Sequence, residues 1–161
     1  MQTQQELYTK IALDSWNIQI ERMNKLLENF ADEQLQKEVS TNRNSGGYLL
    51  GHLTAIHDGM LPLLNFGDKL YPELEEIFIK NPDKSAFNKP SISLLRQYWK
   101  DVNSALASHF TKLKPEEWLQ KHTAISDEDF DKEPYRNRLS VLLNRTNHLS
   151  YHFGQLSFLK K

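Results

Sequence analysis

Apolar residues recur at helical spacing in four long segments of the chain. The first segment, residues 4–30, contains neither glycine nor proline, and the last begins near Asn137, a plausible N-cap. Spacings of three, four and seven residues place one stripe of side chains on each predicted helix. The stripe of the first helix consists of Leu7, Ile11, Ile18, Leu26 and Phe30, with Tyr8, Trp16 and Met23 nearby, and that of the last consists of Leu142, Leu149, Leu156 and Leu159.

The second predicted helix begins near Ser45 or Gly46, with Asn44 or Ser45 as its cap, and extends to Leu61. Pro62 must end or kink this helix, because proline removes a hydrogen bond and clashes with the carbonyl of Asp58. Residues 65–90 form a long connection with a short helix predicted over 72–79. A connection of this length lets the flanking helices run parallel or cross over.

The third predicted helix is capped by Ser91 and has the most regular amphipathic pattern in the chain. Its stripe is rich in aromatic residues, which are usually core residues but are also compatible with a dimer seam. The stripe comprises Ile92, Leu95, Tyr98 or Trp99, Val102, Leu106, Phe110 and Leu113. Residues 115–119 read as one further helical turn that begins at a proline.

The remaining segments are polar and carry little strand signal. Residues 32–44 are expected to combine a turn with a short extended piece. Residues 126–133 are acidic, but Lys132 and Arg138 stand where a calcium-binding EF-hand loop needs glycine and glutamate, so we expect a solvated loop. Four long helices and almost no strand signal predict an all-α bundle in one domain, residues 1–161.

Composition narrows the chemistry. The chain has 161 residues, no cysteine, 20 basic and 21 acidic residues. Thiolate metal sites and a cysteine nucleophile are therefore excluded, and the lack of a basic stripe argues against a nucleic-acid partner. The first residues do not resemble a signal peptide, and no apolar run is long enough to span a membrane. We expect a soluble cytoplasmic protein without a membrane partner.

Three histidines fall on predicted inward faces of two helices. His148 and His152 are four residues apart in the last helix, with Gln155 on the same face, and His52 lies between Leu49 and Ile56 in the second helix. A single histidine of this kind is more often a hydrogen-bonded core residue than a ligand. Three together make a metal site as plausible as a structural role.

The other histidines lack this spacing. His57 is about 140° round the helix from His52, which fits either a residue supporting the metal ligands or a surface residue. His109 and His122 are expected to be ordinary solvated residues.

The pattern of residues resembles a known family. The context Leu50-Gly51-His52-Leu53 in the second helix and the closing His148-x-x-x-His152-x-Gly154-Gln155, in a helical chain of this length, resemble the DinB/YfiT-like superfamily. The resemblance covers essentially the whole chain in element order. The HxxxHxGQ ending is its most specific motif.

The resemblance implies a four-helix bundle with up-down-down-up topology, often as a homodimer. It also implies a divalent metal ion, such as nickel or zinc, held by His52, His148 and His152. Some members of the superfamily are thiol-dependent, including S-transferases that use a low-molecular-weight thiol. No thiol-binding motif is identifiable in this chain.

These observations favour a divalent-metal-dependent reaction on a small-molecule substrate, of thiol S-transferase or hydrolase type. Three neutral histidines leave the ion its full charge and open positions, where it lowers the pKa of bound water or thiol. Tyr48 and Gln155 are candidates to orient ligands or substrate. The alternative is a non-catalytic, stress-related dimeric interaction protein whose metal is adventitious or structural.

Overall fold

The computed structural model of the chain describes residues 3–160 and is almost entirely helical. Four long helices, α1 (Gln4–Glu28), α3 (Gly46–Asp58), α6 (Ile92–Phe110) and α8 (Arg138–Leu156), are joined by short helices. The short ones are α2 (Asp32–Leu35), α4 (Met60–Leu63), α5 (Leu74–Phe78) and α7 (Asp127–Lys132), with 3₁₀ turns at Pro115–Leu119 and Ser157–Leu159. Within residues 3–160 there is no β-strand beyond two isolated bridges, so the all-α prediction is confirmed.

Side-chain caps fix where the long helices begin. The side chains of Thr3, Ser45, Ser91 and Asn137 each accept a hydrogen bond from a backbone N–H in the first turn of the following helix. The predicted starts of the second, third and last helices are therefore confirmed. Met1 and Gln2, which enter the prediction of a chain without a signal peptide, lie outside the described residues.

The packing of the long helices shows their relative directions. Arg22 of α1 lies over the ring of Phe153 in α8, at 4.8 Å, and Trp16 of α1 shares a core cluster with Val141 and Leu142 at the start of α8. The helices α1 and α8 therefore run parallel to each other. On α6, Trp99 bonds to Asn24 of α1, whereas Phe110 packs on Trp16, so α1 and α6 run in opposite directions.

The core face of α1 differs from the predicted one. Leu26 and Phe30 are buried as expected, but Leu7, Ile11 and Ile18 are 44%, 57% and 54% exposed. The side of α1 that faces the core is instead a second stripe, which shares Leu26 with the predicted one and consists of Ala12, Trp16, Met23, Leu26 and Leu27. Two apolar stripes lie on this one helix, and spacing alone does not show which one meets the bundle.

The aromatic stripe of α6 belongs to the core. Trp99 and Phe110 are 4% and 6% exposed, and Leu95, Val102 and Leu106 are buried with them. The alternative interpretation of this stripe as a dimer seam is therefore wrong.

Two segments expected to lack helix contain short ones. Residues 32–44 begin with α2, and residues 126–133 form α7 instead of a solvated loop. Ser126 caps α7 by accepting from the N–H of Asp129, and Lys132 pairs with Glu128 one turn away. Acidic residues in the first turn interact favourably with the helix dipole. The acidic residues that were expected to form a solvated loop therefore stabilise the start of α7.

The connection after α3 packs back on that helix. The break falls at Gly59, three residues before Pro62, and the chain continues through the single turn of α4. Farther on, the ring of Phe78 in α5 is fully buried against the backbone of Gly51. A Cβ atom at position 51 would lie well inside van der Waals contact of that ring.

None of the described helices is both long and apolar enough to cross a membrane.

Gly51→Ala is expected to destabilise the fold by about 1–3 kcal/mol, because the buried Phe78 ring must move to admit a methyl group. Gly154→Ala is the matched control, since a Cβ atom there meets nothing within 4 Å and alanine favours a helix interior by up to about 1 kcal/mol. Urea unfolding of both variants measures the difference. Equal stabilities would contradict the close approach of α5 to α3.

Candidate metal centre

Three histidines from two helices meet at one point. His52 of α3 and His148 and His152 of α8 each offer a ring nitrogen, and these nitrogens lie within 4.8 Å of one another. Nε2 of His148 is 3.3 Å from Nε2 of His52 and 3.0 Å from Nε2 of His152. His152 is buried, whereas His52 and His148 are half-buried.

The ring of His52 is oriented by the connection between α3 and α6. Its Nδ1 donates to the carbonyl oxygen of Phe78 at 2.8 Å, since a carbonyl can only accept. Tyr48, predicted to help orient ligands or substrate, lies beside it with its ring nearly parallel, 6.4 Å away between centroids. The Tyr48 hydroxyl donates to the carbonyls of Asn81, at 2.6 Å, and Phe78, at 3.3 Å. Tyr48 therefore contacts the backbone that holds His52.

The ring of His152 is oriented within α8 itself. Its Nδ1 donates to Oε1 of Gln155 at 2.7 Å, and the Gln155 amide nitrogen donates in turn to the Tyr151 hydroxyl at 3.2 Å. The spacing of three residues brings the two side chains together on one helix face. Gln155 thus lies where its spacing predicts, beside a histidine and not at the centre of the cluster.

These hydrogen bonds determine which nitrogens carry lone pairs. A neutral imidazole has one N–H, so with Nδ1 donating, Nε2 of His52 and of His152 is an acceptor. Both acceptors face Nε2 of His148. Burial first, then the neighbouring His152 and His52, lowers the pKa of His148 to about 4, so this ring is neutral at pH 7. The neutral His148 ring can donate at most one proton, so it cannot satisfy both acceptor nitrogens. A cation bound between the three nitrogens would satisfy all of them.

The spacing also suits a metal ion. Nitrogens about 2.0–2.1 Å from a zinc ion and at about 90–110° from each other lie about 2.8–3.4 Å apart. Both Nε2 distances from His148 fall in that range. His52 and His152 donate Nδ1–H to oxygen acceptors, which is the usual support for a histidine-bound metal, whereas Nδ1 of His148 is buried without a hydrogen-bond partner among residues 3–160. The residues present therefore fit a divalent ion.

The remaining histidines of the described chain do not join the cluster. His109 is half-buried and stacks on Phe66, with 4.6 Å between ring centroids. His122 is also half-buried, and its Nδ1 accepts from the N–H of Ala124. Both are less exposed than the solvated residues that were expected. Within residues 3–160, neither belongs to a group of three side chains that could hold a metal ion.

His57 is neither at the surface nor beside a metal ligand. It is fully buried between the rings of Trp16 and Trp99, at 4.9 and 5.0 Å, and its Nδ1 donates to Oδ1 of Asn103 at 2.8 Å. The Asn103 amide nitrogen donates to the Trp99 carbonyl, which fixes the amide orientation. Burial above all lowers the pKa of His57 to about 3. His57 is thus a neutral core residue.

Two features of the centre were not predicted from sequence. The carbonyl of Phe78 belongs to a backbone that carries no signal in the side-chain pattern. Arg145 lies one turn before His148, and its proximity contributes to the low pKa of that histidine. The spacing of three residues between Arg145 and His148 is visible in the sequence.

A helical bundle that gathers three histidines from two of its helices belongs to a class of candidate metal-binding proteins. The chain is a member of the DinB superfamily, whose family model matches residues 15–156. It also resembles a solved structure described as the conserved protein of a locus from Enterococcus faecalis, with 18% identity over 94% of each chain and a TM-score of 0.64. This likeness shows a shared fold. No curated protein gives a significant match.

The stability of the metal-free protein is expected to fall as the pH drops below about 6.5, because unfolding lets His57 bind a proton that burial denies it down to a pKa of about 3. The contribution of neutral His57 is fully present above pH 6.5 and is lost toward pH 3. His57→Leu should therefore show a shallower loss between pH 6.5 and 4.5, measured by urea unfolding in chelator.

Thr146→Val is the control for this measurement, since Thr146 is a buried polar residue that does not titrate and donates to the carbonyl of Leu142. That variant should change stability while keeping the pH dependence of the wild type. Parallel curves for wild type and His57→Leu would rule out a buried neutral His57.

Proposed function

We propose that the protein binds one divalent ion, nickel, zinc or a similar metal, through Nε2 of His52, His148 and His152, and uses it in a nucleophilic reaction on a small molecule. The observation that carries the proposal is the convergence of these three nitrogens, two of which have their N–H committed to oxygen acceptors on the far side of the ring. A metal held there supplies a positive charge that lowers the pKa of a bound water or thiol.

In this proposal the protein's side chains hold the metal ion and orient its ligands, and the nucleophile is a molecule from solution. The chain has no cysteine, so a thiol nucleophile has to be a low-molecular-weight compound. No aspartate or glutamate of residues 3–160 joins the three histidines, which leaves the charge of the ion undiminished. Phe78 and Gln155 keep two of the ligand rings in one tautomer and one orientation.

Two cavities lie beside α8, and their walls are formed by residues other than the three histidines. A cavity of about 180 Å³, lined in part by Leu49 and Gln155, lies one turn from the cluster toward the end of α8. On the other side, a cavity of about 330 Å³ is lined in part by Leu63, Val141 and Arg145. The larger cavity has the volume of a small-molecule site, and the smaller one has room for part of a small molecule.

His152→Ala is expected to lose stoichiometric metal, because two remaining imidazoles bind a divalent ion far more weakly than three. Elemental analysis of protein purified without a metal-affinity column measures the content, with His122→Ala as a control that removes a histidine outside the cluster. A metal-free wild type that also fails to take up added nickel or zinc would overturn the proposed site.

Metal-loaded wild type mixed with a low-molecular-weight thiol and a panel of electrophiles tests the chemistry. Turnover that disappears in His152→Ala would support a thiol transferase, and turnover with water alone would support a hydrolase. Metal binding without turnover of any substrate would favour the second candidate, a non-catalytic dimeric protein.

An exposed row on α1 suits a homodimer, which either candidate function allows. Leu7, Ile11 and Ile18 lie four and seven residues apart, each more than two fifths exposed. We propose that this row pairs with a second copy of the chain in a homodimer. Ile11→Lys together with Ile18→Lys should shift the mass measured by light scattering from dimer to monomer, because buried charges oppose association. Lys10→Glu is the control, and an unchanged mass would place any dimer contact elsewhere.

A further inference from the structure

Arg145 of α8 is a half-buried cation without an acidic partner. None of the ten ion pairs formed by residues 3–160 includes it. Its Nε is buried without a hydrogen-bond partner among those residues, and Nη1 donates only to the side chain of neighbouring Asn144, at 3.2 Å. Burying a charge is costly unless it is paired, so this guanidinium is arranged for a partner outside the chain.

No acidic side chain of the described residues pairs with Arg145 or lines the cavity beside it. Arg145 contributes to the low pKa values of His57 and His148, and no acidic side chain contributes to the shifted pKa of either. The adjoining 330 Å³ cavity is lined by seven residues, none of them acidic. Its other arginine, Arg136, is paired with Glu133 at 2.9 Å. Arg145 is therefore the cation of this cavity whose charge is not matched by a carboxylate.

The position of Arg145 relates it to the metal centre. It precedes His148 by three residues, which is about 4.5 Å along the helix and on nearly the same face. Arg145 is close enough to His148 for its charge to contribute to the low pKa of that ring. Because the two residues are about one helical turn apart, a molecule that contacts both the guanidinium and the three histidines has only a few atoms between its two ends.

We propose that Arg145 anchors the carboxylate of a short acidic substrate or co-substrate whose reacting group lies at the three-histidine centre. This inference rests on the proposed function, and it adds the chemical class that the site takes. A guanidinium presents parallel N–H donors that match the two oxygens of a carboxylate, which a lysine ammonium does not. The substrate is thus a small anion, preferred over neutral compounds of the same size.

The test compares two thiols that differ only at the end facing Arg145. Zinc-loaded protein is titrated by calorimetry with mercaptoacetate and with 2-mercaptoethanol, which have the same number of carbons. Wild type should bind mercaptoacetate about tenfold or more tightly, the ratio expected for one charged hydrogen-bonded pair. Arg145→Gln should bring the two affinities close to each other and leave that for 2-mercaptoethanol unchanged. Arg145→Lys should retain only part of the preference.

Arg136→Gln is the matched control, because it removes a cation of the same cavity that is already paired with Glu133. It should keep the wild-type ratio. Metal content and thermal unfolding of every variant show whether each is folded and loaded. Wild type and Arg145→Gln with the same preference, or a wild type without any preference, would overturn the anchor while leaving the metal site intact.

A wild type that binds no metal would instead refute the proposed function. The anchor is then judged on metal-free protein by the Nε–H signal of Arg145 in nitrogen-15 NMR, assigned with Arg145→Gln, during titration with sodium acetate against sodium chloride at equal ionic strength. A saturable shift with acetate alone would support a carboxylate site. No shift, or the same shift with chloride, would overturn it.

Discussion

The hydrogen bond from His52 to the carbonyl of Phe78 ties the candidate centre to the packing of the whole connection between α3 and α6. Phe78 is fully buried on the backbone of Gly51, and the Tyr48 hydroxyl donates to the same carbonyl. Because only a residue without a Cβ atom lets α5 approach α3 this closely, the orientation of one ligand depends on a glycine one residue away. The long connection is thus part of the site as well as a link between helices.

The positions of the other two ligands depend much less on tertiary packing. His148 and His152 are neighbours by helical geometry alone, and Gln155 orients His152 from within the same helix. Their meeting with His52 is a tertiary event, since it requires α3 to lie against α8 at a fixed depth. Gly46 packs on Leu159 and Leu63 lines a cavity with Val141, so residues toward the start of α3 face the end of α8. That antiparallel contact brings position 52 level with 148 and 152.

The sequence predicts well whatever depends on local periodicity and on caps. Ser91 and Asn137 begin helices as expected, and the histidine stripe follows from residue spacing alone. It predicts poorly which of two apolar stripes is buried, as Ile11 and Ile18 show, because that choice is made by the other helices. The burial of His57 between two tryptophans has the same origin: its angle from His52 shows only that it faces elsewhere, and the partners at that angle come from α1 and α6.

The electrostatics of the candidate metal centre and of Arg145 are linked. Burial and mutual proximity lower the pKa of His148 to about 4 and lower that of His152 as well, so protonation of these two rings is disfavoured. A divalent ion would add its full charge near a half-buried guanidinium, and no acidic side chain contributes to the lowered pKa of His148. Like charges at low dielectric repel strongly, so such a state is favourable only when an anion enters with or after the metal. A thiolate or hydroxide on the ion and a carboxylate on Arg145 would both meet that requirement, which is the physical basis of the proposed preference for acidic small molecules.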